Sequence, residues 1–324
     1  METDFEYVST RHFDRDAWNN FLKEKSEPTA TDEAPPQPLD EPHDPRVDAL
    51  NTAEAFDEEG RMEYARGRYG AARAMHERAM EIRRQTFGEA DPFLTRSFTL
   101  LGNLSIIEDR LDEAEWLHTQ AYRIATKQYG QYHPAAAVVL HNLGVLARRR
   151  GDLAAALCLY EHALMIKQEC LGDDHPSVAA TMANLGNVSR LQGDLRASLA
   201  YYSRAREIYE STEGGVSHGL ASTLVGMGRV HIDFGVTESA VFMFERALRI
   251  REALHVSPAQ LAGCRYLLAV ALEVDRPAEA CALLVSALRE YEIHPCARRQ
   301  CIEAMHNMLH RLSGKHTSAT FHVN

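Results

Sequence analysis

Residues 133–208 read HPAAAVVLHNLGVLARRRGDLAAALCLYEHALMIKQECLGDDHPSVAATMANLGNVSRLQGDLRASLAYYSRAREI, and this stretch decides the fold. Its second half repeats the first at one constant step: His133-Pro134 returns as His175-Pro176, Asn142-Leu143-Gly144 as Asn184-Leu185-Gly186, and Gly151-Asp152 as Gly193-Asp194. The same step continues outward. Ala79, Ala121, Ala163, Ala205 and Ala247 keep it, and Ala287 follows after a slightly shorter one. So do Ile82, Ile124, Ile166, Ile208 and Ile250, and Gly60, Gly102, Gly144, Gly186 and Gly228, while Pro92, Pro134 and Pro176 mark repeat starts. Independent columns in register over this length identify an internal repeat.

Within one unit, Val139, Leu140, Leu143 and Ala147, then Leu153, Ala156, Leu157, Tyr160 and Leu164, fall at helical spacing. Gly151 and Asp152 interrupt the pattern, so each unit reads as a helix hairpin. Proline suits a helix's first turn, which needs no N–H there, and glycine suits its C-terminal cap. Gly144 and Gly186 on the first helix, and Ala156 and Ala163 on the second, let the two axes approach closely. Six units follow, at about 46–88, 89–130, 131–172, 173–214, 215–254 and 255–292. None can bury its apolar stripe alone, which predicts an all-α, right-handed superhelical solenoid over 46–292. Cys301, Ile302, Met305, Met308, Leu309 and Leu312 form a stripe on a capping helix over 293–312, and 313–324 reads as a disordered tail.

The first 45 residues differ in character. Residues 26–45 hold six prolines and six acids, the composition of an extended linker that cannot pack a core. Ahead of it, Phe13, Trp18, Phe21 and Leu22 line one face of a short amphipathic helix within residues 1–25. This segment is expected either to dock on a partner or on the protein's own groove, or simply to pack against the first repeat.

Charge follows the same division. The net charge is -11, and residues 1–45, with four basic and twelve acidic side chains, hold -8 of it. An acidic arm on a nearly neutral body lacks the basic footprint of nucleic-acid binding. No run is long and apolar enough to span a membrane, and METDFEYVST at the start is no secretory signal. Six cysteines, several within apolar stripes, are expected to be reduced thiols in a cytoplasmic protein.

The 42-residue period, the LGDDHP connector and the NLG helix resemble the tetratricopeptide repeat, in the subtype found in kinesin light chains and in many bacterial and fungal regulatory proteins. Kinesin light chain proper carries a heptad segment ahead of its repeats, which the proline-rich arm precludes here. The resemblance implies a concave groove, lined by the first helix of each unit, that binds peptides or helices. Its expected lining is Asn103, His141, Asn142, Val145, Arg148, Arg149, Asn184, Asn187, Arg190 and Arg229. Asparagine can donate to and accept from a peptide backbone, and arginine recognises carboxylates. The carboxylate clamp of chaperone-binding repeats is incomplete, because its lysine positions fall on Thr99 and Ala180 and its arginine position on Asn184. An acidic or amphipathic protein segment is the expected partner, with the arm as a candidate occupant in cis and a homo-oligomer as a further option.

No nucleophile elbow, Walker sequence, HExxH or dinucleotide fingerprint occurs, so the expected role is a non-catalytic adaptor without a cofactor. A regulatory or sensor subunit that acts on an enzyme partner or binds a small signalling peptide is the alternative, with the glycine-rich fifth unit as its hinge. Cys296, Cys301, His306 and His310 supply zinc-ligand types, yet on one continuous helix the first three point in different directions, so incidental residues are expected rather than a metal site.

Overall fold

The computed structural model describes residues 45–89, 91–293 and 299–319. Phe13, Trp18, Phe21 and Leu22, and most of the linker, lie outside the described residues. Thirteen α-helices and no strand are found among the described residues: α1 (Pro45–Ala65), α2 (Tyr69–Phe87), α3 (Phe93–Ile107), α4 (Leu111–Tyr129), α5 (Pro134–Arg150), α6 (Leu153–Leu171), α7 (Pro176–Leu191), α8 (Leu195–Thr212), α9 (His218–Asp233), α10 (Thr237–Ala253), α11 (Pro258–Leu272), α12 (Pro277–Ile293) and α13 (Arg299–Ala319). Consecutive pairs from α1/α2 to α11/α12 form six hairpins. The last helix starts and ends later than the 293–312 expected from its apolar stripe, continuing to Ala319.

Local chemistry sets the hairpin ends. His133 and His175 each accept a hydrogen bond through Nδ1, from the N–H of Ala135 and Ser177, and so cap α5 and α7 just ahead of Pro134 and Pro176. Asp152 and Asp194 cap α6 and α8 by accepting from the N–H of Ala155 and Ala197. Gly151 ends α5 in the left-handed region at φ +84°. In the second unit the equivalent turn residue is Asp109, at φ +62°, a rare conformation for a residue with a β-carbon.

Packing within each hairpin rests on one repeated contact. A β-carbon placed on Gly60, Gly102, Gly144, Gly186 or Gly228 would lie 2.7, 2.6, 2.8, 3.0 or 2.5 Å from the ring of His76, His118, Tyr160, Tyr202 or Phe244, respectively. Each ring stands at the same offset from its glycine, on the partner helix, and fills the space a side chain would occupy. The alanine column at 79, 121, 163, 205, 247 and 287 is fully buried beside this ladder. In the fifth unit, Gly219 and Gly226 lie against the rings of Tyr209 and Tyr202 of α8.

Between hairpins, each second helix packs on the first helix of the next unit, and the first helices α3, α5, α7 and α9 also touch in succession. The second helices make no comparable contacts with one another, so the stack bends with first helices on its inner side. At the far end Met305, Met308 and Leu312 of α13 bury themselves in the core cluster that contains Leu284 and Leu288 of α12.

A second column, at positions 83, 167 and 251, buries Arg83, Lys167 and Arg251 at the joints between hairpins. Arg83 donates to Asp57 Oδ2 at 2.7 Å and to Ser97 Oγ at 2.6 Å, and His76 Nδ1 lies 2.8 Å from Asp57 Oδ1. Burial pushes the Asp57 carboxyl upward, but the hydrogen bond from His76 and the charges of Arg83, His76 and Arg96 outweigh it and hold it below its ordinary pKa.

Three outcomes test this packing. Gly228→Ala and Gly186→Ala should each cost about 1–3 kcal/mol in chemical denaturation, with Gly228→Ala the more damaging because its ring stands closer. Asp57→Asn leaves the buried Arg83 without its anion and should cost about 3–5 kcal/mol. The ring of His118 has neither nitrogen hydrogen-bonded, and burial lowers its pKa to about 4. The unfolded chain therefore binds the extra proton between about pH 6.5 and 4. Stability should fall with pH through that window, and His118→Phe, matching the ring that Phe244 supplies elsewhere, should remove this part of the slope and raise stability at pH 7.

Candidate functional site

The inner side of the stack is built from α3, α5, α7 and α9, and the expected lining residues divide by burial. Asn103, Arg148, Arg149, Asn184, Arg190 and Arg229 are half-buried and keep part of their surface open. His141, Asn142, Val145 and Asn187 are buried. Their expected place on the open groove wall is corrected: each first helix packs against its hairpin partner and against the helices of the next unit, and these positions are taken up in the contacts between helices.

His141 shows the effect most clearly. Its ring is 2% exposed, packs edge-on against Tyr160 with centroids 5.2 Å apart, and has Nδ1 3.1 Å from Thr181 Oγ1 and Nε2 3.3 Å from the Asn184 amide nitrogen. Burial lowers its pKa well below the usual value and keeps it neutral. Asn184 also donates to the Ala180 carbonyl at 3.1 Å. It therefore stands between the half-open inner surface and a buried polar network that continues to Thr181 and Lys167.

Two of the expected carboxylate-binding arginines already hold carboxylates of this chain. Arg149 lies 3.3 Å from Asp109, the residue of strained φ in the preceding unit, and Arg190 lies 2.9 Å from Asp233 in the following one. Both pairs bridge neighbouring units. Arg150 does the same with Asp112 and Glu115, both at 2.7 Å. Asp109 was not singled out from sequence, although its place in a turn column otherwise filled by glycine marks it. Lys167 was missed as well, and its signal is a charged residue inside an otherwise apolar second-helix stripe.

Between α7, α9 and α11 the inner surface opens into a small cleft of about 160 Å³, lined by Arg190, Arg229, Ile232, Asp233, Phe244, Leu267 and Val270. Its lining combines four apolar side chains with two guanidiniums and a carboxylate. At the C-terminal end, Cys296 lies outside the described residues; Cys301 is half-buried, and His306 and His310 are exposed. Among the described residues no three His, Cys, Asp or Glu side chains are grouped as a metal would require, and no helix is long and apolar enough to cross a membrane.

Comparison with known proteins agrees with this architecture. Profiles described as tetratricopeptide repeat match residues 52–93, 97–169, 159–211 and 177–253. No curated protein matches the chain. Among solved structures, BtubC (BKLC) from P. vanneervenii is similar at 23% identity and TM-score 0.55, covering 78% of this chain and 93% of that one. A Podosopora anserina protein described as a putative kinesin light chain with nearly identical repeats matches at 20% identity and TM-score 0.51, over 64% of this chain and 98% of its own. A Rap protein, solved in complex with competence and sporulation factor, matches at 16% identity and TM-score 0.60, over 82% of this chain and 76% of its own. At these identities the structures speak for the fold alone. Taken with the profiles, which together span more than half of the sequence, they show that the chain belongs to the tetratricopeptide repeat family, with kinesin-light-chain-like neighbours.

Proposed function

We propose that the protein is a non-catalytic interaction scaffold that binds a peptide or helical segment of a partner protein along the inner surface of α3, α5, α7 and α9. The observation that carries this reading is the combination, on one concave surface, of half-open Asn103, Arg148, Asn184 and Arg229 with the cleft that Ile232, Phe244, Leu267 and Val270 line beside Arg190. An extended segment needs backbone partners, a place for an apolar side chain and a cation for an acid, and this surface offers all three. The solved Rap complex supports the same use of a related fold.

The partner segment fits best if it is acidic or amphipathic. Because Arg149 and Arg190 are occupied by Asp109 and Asp233, a ligand carboxylate must exchange with an internal one. Such exchange discriminates by charge geometry more than it adds affinity. The same reasoning keeps the arm as an occupant in cis: its carboxylates are tethered by some twenty residues of linker, at an effective concentration near ~1 mM. A regulatory subunit controlling an enzyme partner would use this surface in the same way.

Fluorescence binding with acidic, amphipathic and neutral helical peptides tests the reading. Arg148→Glu with Arg229→Glu in the full chain should weaken the acidic or amphipathic peptides by at least about tenfold while neutral peptides stay weak. Neutralising Asp32, Glu33, Asp40 and Glu41 in the arm should strengthen binding; unchanged affinity would remove the autoinhibitory part. Equal binding by the double glutamate variant would place the interface elsewhere on the stack.

A further inference from the structure

Lys167 is 1% exposed at the joint where α6 meets α7. Its Nζ donates to Thr181 Oγ1 at 2.8 Å and to the Ser177 carbonyl at 3.3 Å. The network around it fixes the direction of every hydrogen bond. Asn184 offers only N–H at its amide nitrogen, so His141 Nε2 accepts, and the ring's proton sits on Nδ1 and is donated to Thr181 Oγ1. The Thr181 hydroxyl passes its own proton to the Ser177 carbonyl at 3.1 Å. Both lone pairs of Thr181 Oγ1 are then used, one by His141 and one by Lys167.

The amine is left with two acceptors. A neutral amine has two N–H bonds and an ammonium three, so the charged form would bury a donor with nothing to receive it, as well as a charge. Arg83, at the same position two units earlier, has the Asp57 carboxylate beside it. Among the described residues no carboxylate pairs with Lys167. The groups that face it are the neutral His141 from α5 and the non-titrating Thr181 and Ser177 from α7.

We infer that Lys167 is stored as a neutral amine and that the joint between the third and fourth hairpins is a proton-sensitive element, which opens when the amine is exposed and takes up a proton. The lowering of its pKa by burial to about 7 agrees with this geometry. An exposed lysine titrates near 10.4, so between about pH 10.4 and 7 each opening binds one proton. Opening is therefore rarest at high pH and becomes about tenfold more frequent for each unit by which the pH falls, levelling off below about 7. This inference does not depend on the groove reading.

Two measurements on the full chain test it. The sequence contains five lysines, Lys23, Lys25, Lys127, Lys167 and Lys315, so lysine labelled with ¹³C at Cε yields five titration curves. One should have its midpoint near pH 7 and be the curve missing from Lys167→Met; five ordinary curves would overturn the inference without any variant having to fold. Amide hydrogen exchange between pH 7 and 9.5, corrected for intrinsic rates, should show openings of α6 and α7 rising about tenfold per unit fall in pH, with α1 and α2 showing no such slope. Openings of α6 and α7 that are independent of pH, or that share the behaviour of α1 and α2, would equally overturn it.

Discussion

The contact between a glycine on one helix and an aromatic ring on the next governs this molecule. Five times along the chain, a glycine in the first helix of a hairpin leaves room for a ring that the second helix supplies at a constant offset. Because the ring occupies the volume of the missing side chain, the two axes are drawn together and their rotation about each other is set at that point. The fully buried alanines beside the ring permit the same approach from the other helix. A solenoid transmits such local geometry along its length, since each unit contacts only its neighbours. The contact thus sets the geometry of each hairpin, while the bend of the stack follows from the way first helices of successive units touch.

Close approach also decides what the inner surface can present. Where helices meet, within a unit or between units, the residues that point along the contact are withdrawn from solvent, and polar ones must then find partners inside. His141 takes Thr181 and Asn184; Asp57 takes His76, Arg83 and, more distantly, Arg96; Arg251 donates to the Gln260 carbonyl and Cys264 Sγ. These arrangements are not equivalent. A guanidinium beside a carboxylate is compensated whatever the pH near neutrality, whereas an amine among neutral acceptors is satisfied only without its charge. One position of the repeat therefore carries different electrostatics at different joints, while the backbone geometry around it stays the same.

Surface ion pairs between units add a further layer. Arg149 with Asp109, Arg190 with Asp233, and Arg150 with Asp112 and Glu115 tie neighbouring hairpins at the edge of the inner surface. Each is exposed enough that its contribution to stability is small. On the proposed reading their effect would fall on recognition, because an incoming acid would meet arginines already placed and oriented and would have to match them better than the internal carboxylate does.

The repeat period, the number of hairpins and the ends of the central hairpin helices were legible in the sequence, because each depends on spacing along a helix or on a local backbone conformation. Pro134, Asp152 and Gly151 act within a few residues of themselves, and the columns of Ala and Gly needed only to be counted. Which faces of the first helices stay open was not legible. His141 and Asn187 sit at spacing that suits a groove wall, yet whether they face solvent depends on how closely the next unit stacks, which is a property of residues a whole repeat away. The same holds for Lys167, whose charge state follows from having Thr181 and a carbonyl as neighbours instead of a carboxylate. Sequence determined the hairpin and its repetition because those are local; only the tertiary structure decided which polar groups are buried, since burial is created by units that meet after they have formed.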